Sequence, residues 1–290
     1  MDDIARVRRF NRAVTRQVGA LDARFLGRER SLGACRLLFE IGSGGGEIRA
    51  LRARLELDSG YLSRLLRSLE REGLVATDRT PRDGRVGRVR LTGSGRRELA
   101  LLNRLSDESA ASLLEPLSSR QRAELLGAMD AVERLLQASA VRVEVEDPGH
   151  PLARECLTHY FAELAERFET GFDPSRSISA ATEEMRPPRG YFLLATLEGE
   201  AVGCGVLKCQ GNYGEIKRMW VGATRRGLGI GARILDGLET LARRRRLPRL
   251  RLETNQALRE AQALYRSRGY REVPAFNDEP YAHHWFEKIL

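Results

Sequence analysis

The run Arg226-Gly227-Leu228-Gly229-Ile230-Gly231-Ala232 has the composition of an anion-binding turn. It lies between an apolar segment, residues 215–221, that we expect to be a strand, and a helical pattern over residues 230–245. Its three glycines remove the side chains that would hold an anion away from the backbone, and the first N–H groups of a helix attract negative charge. With the positive charge of Arg226, this order predicts a binding site for a pyrophosphate.

Two other glycine motifs fit this run poorly. A P-loop ends in Gly-Lys-Ser/Thr, whereas Gly231 is followed by Ala232 and Arg233. The dinucleotide motif Gly-x-Gly-x-x-Gly is broken at Ala232, and no parallel βαβ unit with an acidic residue at the right distance follows. A glycine-rich turn without a ligand remains the alternative.

As Arg-x-x-Gly-x-Gly, the run resembles the acetyl-CoA signature of the GNAT acetyltransferases, and the resemblance continues in residues 215–221, 252–255 and 263–270. It implies that acetyl-CoA binds with its pyrophosphate over the glycines and its pantetheine arm along the preceding strand. Asn255 would contact the coenzyme or merely cap its own strand. The implied coenzyme contacts are Met219, Trp220, Val221, Arg226, Gly227, Leu228, Gly229, Ile230, Gly231, Ala232 and Asn255.

Two side chains are candidates for acid–base chemistry. Acetyl transfer to an amine needs a base for the amine, a polarised thioester and a proton for the leaving thiolate. The resemblance implies that Glu215 is the base, acting through water, and that Tyr265 in the helix over residues 258–267 is the proton donor. Each has a structural alternative: Glu215 can pair with a basic neighbour on its strand, and Tyr265 can be a core tyrosine packed against Tyr270.

The strand that carries Glu215 is expected to alternate between two faces. On this pattern Glu215, Lys217 and Met219 share one face, and Ile216, Arg218 and Trp220 share the other.

The acceptor site is expected between residues 167–174 and 274–284, where aromatic and charged side chains suit a small polar amine. The adjacent His283 and His284 would point to opposite faces of a strand, and no third ligand is evident, so we expect no metal site. The candidates for substrate binding are Phe172, Asp173, Lys217 and Tyr281.

The first half of the chain carries a helix-turn-helix pattern. Residues 48–55 have a helical pattern, residues 56–58 form a turn, and Asp58 is a credible N-cap for a second helix to about Arg71. Leucines at 62, 65, 66 and 69 have the spacing of a buried stripe. The opposite side carries small, hydroxyl and arginine side chains, which a DNA major groove accepts. The DNA-contact candidates on this helix are Ser59, Tyr61, Ser63, Arg64 and Arg67.

A hairpin is expected next, because strand patterns over residues 73–79 and 86–92 flank an Asp-Gly turn. Its tip carries Arg82 and Arg85, which are candidates for minor-groove contact. The glycine run over residues 42–46, before the first helix of the pair, is expected to be a flexible hinge.

With one helix before it and two long helices after it, the segment over residues 47–92 resembles the MarR family of winged-helix regulators. The resemblance implies a homodimer whose first and last helices form the interface. It also implies binding to double-stranded DNA at a near-palindromic site.

The length of 290 residues suits two domains. The pattern is mainly helical over residues 1–140 and alternates strands and helices over 141–290, so we expect an α+β protein. The two resemblances imply that the first range is a MarR-like winged-helix domain and that the second is a GNAT domain with a mixed sheet. The formal net charge of +9 is uneven, because residues 1–140 hold 26 arginines against 19 acidic residues. The basic excess therefore belongs to the half with the DNA-binding pattern.

The four cysteines are scattered without zinc spacing, and neither a leader pattern nor a long apolar run is evident. We therefore expect a cytoplasmic protein with reduced thiols, no metal and no membrane partner. Together the two resemblances imply a bifunctional regulator and an acetyl-CoA-dependent acetyltransferase that acts on a small amine. Two alternatives stay open: a regulator whose GNAT domain only senses acetyl-CoA or an amine, and an acetyltransferase whose winged helix serves only dimerisation.

Overall fold

The computed structural model describes residues 2–19, 25–28, 30–44, 46–78, 87–178 and 180–290. The chain divides into two compact units, residues 1–126 and 127–290, and the division falls inside the helix Ser119–Ala140. The helical pattern ends with that helix, and strands and helices alternate after it. The domain boundary between residues 140 and 141 remains a prediction.

The first unit combines helices with a small antiparallel sheet in the order β1-β3-β2. A 3₁₀ turn, Phe25–Gly27, precedes its second helix. The elements are α1 (Asp3–Gln17), α2 (Leu32–Gly44), β1 (Gly46–Glu47), α3 (Ile48–Leu55), α4 (Ser59–Arg71), β2 (Val75–Asp78), β3 (Arg88–Leu91), α5 (Gly93–Leu114) and α6 (Ser119–Ala140), which continues into the second unit.

Helix α4 confirms the predicted cap and buried stripe. Asp58 caps it, because the Oδ1 atom of Asp58 accepts a hydrogen bond from the backbone N–H of Tyr61 at 2.8 Å. The four leucines of the stripe are at most 8% exposed and pack in one core with residues of α2, β2 and β3. Burial of each leucine stabilises the fold by about 1.5–3 kcal/mol. The opposite face of α4 is thereby fixed towards solvent.

The glycine run after α2 is not a hinge over its first residues. Residues 42–44 continue α2, and a Cβ atom at Gly42 would overlap Leu99 of α5. Glycine at this position therefore allows two helices to approach closely, and the prediction of a flexible joint was wrong for Gly42. Gly45 lies outside the described residues.

The second unit is a seven-stranded mixed sheet in the order β4-β5-β6-β7-β8-β10-β9, in which β7 and β8 are parallel and the other neighbours are antiparallel. Two 3₁₀ turns, Thr182–Met185 and Ala223–Arg225, join elements. Its elements after α6 are β4 (Arg142–Glu146), α7 (Pro151–Arg167), β5 (Gly190–Leu197), β6 (Glu200–Gln210), β7 (Tyr213–Val221), α8 (Ile230–Arg244), β8 (Arg249–Thr254), α9 (Arg259–Ser267), β9 (Arg271–Val273) and β10 (His284–Ile289).

Helices cover both faces of this sheet, and successive residues of β5 point to opposite faces. Leu193 and Ala195 belong to a core that includes five buried residues of α8. Phe192 and Leu194 belong to a second core that includes Cys156 of α7. The sheet therefore separates α8 from α7 and holds both helices in fixed positions relative to β7.

A bulge in β7 changes which of its side chains share a face. The pairing with β6 shifts by one residue between Lys217 and Trp220, and Arg218 has a left-handed φ of 53°. Beyond the bulge, Met219 packs against the same core as Ile216, whereas Trp220 packs against the core on the α7 side. The predicted faces of Met219 and Trp220 were wrong, because strict alternation does not allow for an extra residue.

The described ranges contain no helix that is long and apolar enough to cross a membrane. Over the same residues, no group of three or more His, Cys, Asp and Glu side chains is placed to hold a metal ion. All four cysteines are free thiols, and Cys35, Cys156 and Cys204 are buried.

Candidate functional site

A cleft of about 420 Å³ lies in the second unit where β7 ends and α8 begins. Gly229 is the N-cap of α8, and its φ of 73° lies in the left-handed region that glycine adopts without strain. Because the N-cap residue is a glycine, it has no side chain that could bond the first N–H groups of α8. These groups, with the positive end of the helix dipole behind them, are available to an anion in the cleft.

Most of the predicted coenzyme contacts line this cleft. Leu228 is an exception and packs partly buried against the core, and Asn255 lies at a second, inner cavity. The predicted contacts that line the cleft are Met219, Trp220, Val221, Arg226, Gly227, Gly229, Ile230, Gly231 and Ala232.

Four charged side chains form an ion-pair cluster at the cleft: Glu163 and Arg167 of α7, Glu260 of α9, and Arg226. Arg226 donates to Glu163 and lies 3.6 Å from Glu260, and Arg167 pairs with both carboxylates. The hydrogen bond from Arg167 lowers the pKa of Glu260 to about 2. Burial raises the pKa of Glu163, but hydrogen bonds from Arg226 and Arg167 outweigh it and leave that pKa below its usual value. The cluster therefore holds the Arg226 guanidinium beside the glycines.

Tyr265 of α9 lies where the cleft meets the inner cavity. It is 4% exposed and lines both spaces. Its ring packs against the rings of Tyr270 and Phe286, with 6.0 Å between centroids in each pair. Burial raises the pKa of the Tyr265 phenol well above its ordinary value. The hydroxyl therefore keeps its proton near neutral pH.

The inner cavity opens between β7 and β8. Among the described residues, these strands pair at two positions, Gly214 with Leu250 and Glu215 with Arg251. Beyond them the strands diverge, and the gap is closed by α7, α9 and the segment before β10. The polar side chains on its wall include Lys217, Glu253, Asn255, Tyr265 and Glu279, and the aromatic ones include Phe161, Phe168, Phe172 and Tyr281.

A buried ion pair crosses this gap. The Lys217 ammonium contacts Oε1 of Glu253 and donates to the carbonyl of Ile178 at 3.3 Å. The two side chains are 7% and 8% exposed. Oε2 of Glu253 is buried and has no hydrogen-bond partner in the part of the chain that the structure describes. We did not predict Glu253 from the sequence, although an acidic residue at the end of an apolar strand pattern was a usable signal.

Burial raises the pKa of Glu253, and the nearby charges of Glu215 and Glu279 act in the same direction, while Lys217 lowers it. Glu215 itself is 7% exposed, and it is not among the described residues that line either cavity. Its role as a base remains a prediction.

Three of the four substrate-binding candidates, Phe172, Lys217 and Tyr281, line the inner cavity. Asp173 is not among the described residues that line it, and its carboxylate accepts hydrogen bonds from the hydroxyl and the N–H of Ser175 at 2.7 and 2.9 Å. The backbone N–H of Asp173 donates to the Tyr281 hydroxyl at 2.9 Å, so this residue holds the position of Tyr281.

Asn255 connects the end of β8 to the segment between β9 and β10, residues 274–283, called the late loop below. Its side-chain amide donates to the carbonyl of Tyr281 at 2.8 Å and accepts from the N–H of Ala257 at 2.9 Å. These bonds correspond to the structural alternative for this residue. Its contact with a coenzyme remains a prediction.

In the first unit, the exposed face of α4 presents Ser59, Ser63, Arg64 and Arg67 to solvent. Tyr61 differs from them, because it is half-buried and packs against the core residues of that unit. A Cβ atom at Gly33 of α2 would lie 2.6 Å from the Tyr61 hydroxyl, so glycine there makes room for the tyrosine. The exposed residues have the size and charge that a major groove accepts.

The hairpin after α4 is present as β2 and β3, which pair antiparallel from Val75 with Leu91 to Asp78 with Arg88. The predicted DNA contacts Arg82 and Arg85 lie outside the described residues. Their role remains a prediction.

Comparison with known families agrees with both units. Residues 154–270 match the acetyltransferase (GNAT) family, and residues 35–95 match the winged helix DNA-binding domain family. The chain therefore carries a winged helix DNA-binding domain fused to a GNAT acetyltransferase domain.

Individual relatives cover one part of the chain each. An IAA acetyltransferase of Azospirillum brasilense is 42% identical over 96 residues, which are 32% of this chain and 63% of that protein. An uncharacterized HTH-type transcriptional regulator, YdgJ of Bacillus subtilis (strain 168), is 30% identical over 76 residues, 26% of this chain and 46% of that protein. The chain thus spans less than two thirds of the length of either relative.

Two solved structures each resemble part of the chain. A GNAT-family acetyltransferase from Staphylococcus aureus Mu50 is 20% identical, with a TM-score of 0.44, over 52% of this chain and 99% of that chain. FabT of Streptococcus pneumoniae, solved in complex with DNA, is also 20% identical, with a TM-score of 0.37, over 46% of this chain and 97% of that chain.

Proposed function

We propose that the second unit is an acetyl-CoA-dependent N-acetyltransferase for a small amine, and that the first unit is a DNA-binding regulator. The observation that carries the enzymatic part is the position of Tyr265, whose side chain lines both the glycine cleft and the inner cavity. Transfer of an acyl group from one space to the other needs a proton donor at this junction, because the departing thiolate must be protonated. The relative from Azospirillum brasilense, which bears the name of an acetyltransferase, supports the same reaction class.

Each space has a distinct task in this proposal. Arg226 and the uncapped N–H groups of α8 hold the pyrophosphate of acetyl-CoA, and the end of β7 lies along its pantetheine arm. Bound acetyl-CoA supplies an activated thioester. The amine enters the inner cavity, where a carboxylate of the β7–β8 gap takes its proton. Tyr265 then gives its proton to the thiolate as the carbon–sulfur bond breaks.

Tyr265→Phe tests the enzymatic proposal. The variant keeps the packed ring and loses only the hydroxyl, so acetyl-CoA affinity should change little while kcat falls by roughly 10²–10⁴-fold. Tyr270→Phe is a matched control, because that buried tyrosine touches the same ring but is not among the described residues that line either space. Thiol release with a panel of small amines and amino acids measures turnover, and wild-type turnover in Tyr265→Phe would refute this role.

The sensor alternative has a separate signature. If the wild-type protein bound acetyl-CoA by calorimetry but released no thiol with any amine in that panel, the second unit would be a ligand sensor and not an enzyme.

For the first unit, we propose that α4 enters the major groove and that the protein binds a near-palindromic site as a homodimer. The support is the exposed set Ser59, Ser63, Arg64 and Arg67 on the side of α4 that faces away from the core. The B. subtilis relative carries the name of a transcriptional regulator, which agrees with this function. Arg82 and Arg85 would add minor-groove contacts from the wing.

Arg64→Ala tests this proposal on a mixed-sequence DNA duplex, with binding followed by fluorescence anisotropy across salt concentrations. Loss of one phosphate contact should reduce the slope of log affinity against log salt by roughly one unit. Arg104→Ala in α5 removes the same charge from another exposed helix position and should leave the slope unchanged. Equal slopes in both variants would show that α4 does not contact DNA.

The homodimer proposal has structural support in exposed apolar residues on the helices that the MarR resemblance assigns to the interface. They are 41–67% exposed, and those on α1 recur at helical spacing. On α1 and its C-cap they are Ile4, Val7, Phe10, Val14 and Val18, and on α6 they are Leu126, Met129, Leu135 and Leu136. Light scattering should give a dimer for the wild type and a smaller mass for Val7→Glu.

A further inference from the structure

Two buried carboxylates on the neighbouring strands β7 and β8 are candidates for the base: Glu215, where the strands still pair, and Glu253, in the gap beyond. They differ in access, because Glu253 is part of the described cavity wall and Glu215 is not. They differ also in bonding. Of the buried side-chain oxygens on the described part of this wall, Oε2 of Glu253 is the one without a hydrogen-bond partner. A buried acceptor in this condition costs free energy until a donor reaches it.

Glu279, the other buried carboxylate on the wall, has its bonds made within the protein. Its Oε2 accepts from the hydroxyl of Ser177 at 3.0 Å and from the N–H of Ile178 at 2.6 Å. Its Oε1 accepts from the N–H of Tyr281 at 3.3 Å. It therefore shapes the cavity and leaves Glu253 as the acceptor for an incoming N–H group.

The rest of the wall indicates what carries that N–H group. Four aromatic rings from α7, the segment after it and the late loop contact one another, with centroids 4.8–5.9 Å apart. They are those of Phe161, Phe168, Phe172 and Tyr281. Aromatic rings beside a buried carboxylate oxygen that has no partner among the described residues fit a primary amine attached to an aromatic group.

We propose that Glu253 is the general base, that it receives the amine of an aryl-alkyl amine, and that Lys217 is a positioning residue that holds its Oε1. This inference rests on the proposed acetyl transfer and assigns its base and acceptor class. It replaces Glu215 with a residue on the neighbouring strand.

The chemical step balances with these two side chains. Oε2 of Glu253 takes one proton from the ammonium group, and the neutral nitrogen forms a bond to the thioester carbonyl carbon. The carbon–sulfur bond breaks with its electron pair on sulfur, and the thiolate takes the proton of Tyr265. The second proton lost by nitrogen restores the Tyr265 phenol, and protonated Glu253 returns its proton to solvent. The products are the amide and free coenzyme A.

The surroundings of Glu253 suit this task. Lys217 and Glu215 face it from β7 and Glu279 faces it from the late loop, and burial raises the pKa of the carboxyl above its ordinary value. A raised pKa makes the carboxylate a stronger base, while Lys217 opposes its complete neutralisation.

The test compares two acceptors that differ in basicity. At neutral pH 2-phenylethylamine is protonated and needs a base, whereas O-benzylhydroxylamine is neutral, because its adjacent oxygen withdraws electrons. Glu253→Gln should lower kcat for 2-phenylethylamine by roughly 10²-fold or more, and for O-benzylhydroxylamine by less than about tenfold. Glu215→Gln makes the same charge change on the adjacent strand and should show no such difference between the acceptors.

Two results would overturn the assignment. Equal losses for the two acceptors in Glu253→Gln would show a structural role, and a selective loss in Glu215→Gln would return the base to β7. If the wild type acetylated neither amine, the proposed function would fail for this substrate class. Calorimetry of 2-phenylethylamine with the protein–coenzyme A complex would still test Glu253, since weaker binding is expected in Glu253→Gln and unchanged binding would refute its contact with the amine.

Glu253→Gln leaves the Lys217 charge unpaired in the interior and is therefore at risk of not folding. A second variant covers that case. Lys217→Met removes the group that lowers the pKa of Glu253, so the acid limb of the kcat/KM profile should move to higher pH. An unmoved acid limb in a folded Lys217→Met protein would show that Glu253 is not the titrating base.

Discussion

Replacing Arg226 with glutamine should weaken acetyl-CoA binding without unfolding the protein. The Arg226 side chain is 36% exposed and bonds Glu163. Loss of the guanidinium does not leave the Glu163 carboxylate unpaired, because Arg167 and Trp220 Nε1 still donate to it, each at 2.9 Å. We therefore expect the free energy of unfolding to fall by less than about 1 kcal/mol.

The effect on the coenzyme is expected to be larger. A hydrogen bond to a charged group contributes about 1.5–3 kcal/mol. If Arg226 makes one such bond to the pyrophosphate, its loss raises Kd by roughly 10- to 150-fold. The salt dependence of binding should also become weaker, because one cation no longer faces the anion.

Isothermal titration calorimetry with acetyl-CoA measures both effects, and the neighbouring Arg225 supplies the control. Arg225 is not among the described residues that line the cleft, and it lies 3.7 Å from Glu200. Arg225→Gln should therefore bind the coenzyme as the wild type does. If the two variants had the same affinity, the assignment of the glycine cleft as the pyrophosphate site would be refuted.

Further substitutions test the elements that position the sites. Gly127→Ala should stabilise the protein by about 1 kcal/mol in urea unfolding, because a Cβ atom at this helical position meets nothing within 4 Å. Destabilisation would show that the added methyl group does meet a neighbour. Asp58→Ala should cost about 1 kcal/mol through loss of the α4 cap, and an unchanged midpoint would mean that the cap contributes nothing. Gly229→Ala should cost about 1–2 kcal/mol from its left-handed φ of 73° alone, while Gly127→Ala serves as its contrast. The pKa of Glu260 is lowered from 4.5 to about 2, so its carboxylate stabilises the fold above pH 4.5 and this stabilisation is lost as the pH falls towards 2. The stability of Glu260→Gln should therefore depend less steeply on pH in that range. A pH dependence identical to that of the wild type would contradict the ion pair.

Local features could be predicted from the sequence because their causes lie within a few residues of each other. The Asp58 cap and the leucine stripe define α4 by their spacing, and the structure has this helix at Ser59–Arg71. The glycines before α8 likewise predicted a helix N-terminus without a side-chain cap, which is observed at Gly229. In both places the determinant is a backbone preference that is read from one short segment.

The face on which a side chain lies beyond a β-bulge could not be predicted from the sequence. Period-two alternation placed Met219 beside Lys217, but the bulge at Arg218 moves Met219 to the face of Ile216. At the bulge β7 has one residue more than β6, and this register depends on both strands and not on the sequence of β7 alone. Tyr61 is a comparable case, since its partial burial depends on Gly33 of another helix.

What the sequence by itself determined was the order of the two domains, the helix N-terminus after the glycines of residues 226–232 and the exposed face of α4. What only the tertiary structure decided was which polar groups meet inside the β7–β8 gap. Lys217 and Glu253 are 36 residues apart, and their pairing depends on the divergence of two parallel strands. The unpaired state of Glu253 Oε2 among the described residues and the raised pKa of its carboxyl follow from burial, which is a property of the packed fold and not of any one segment.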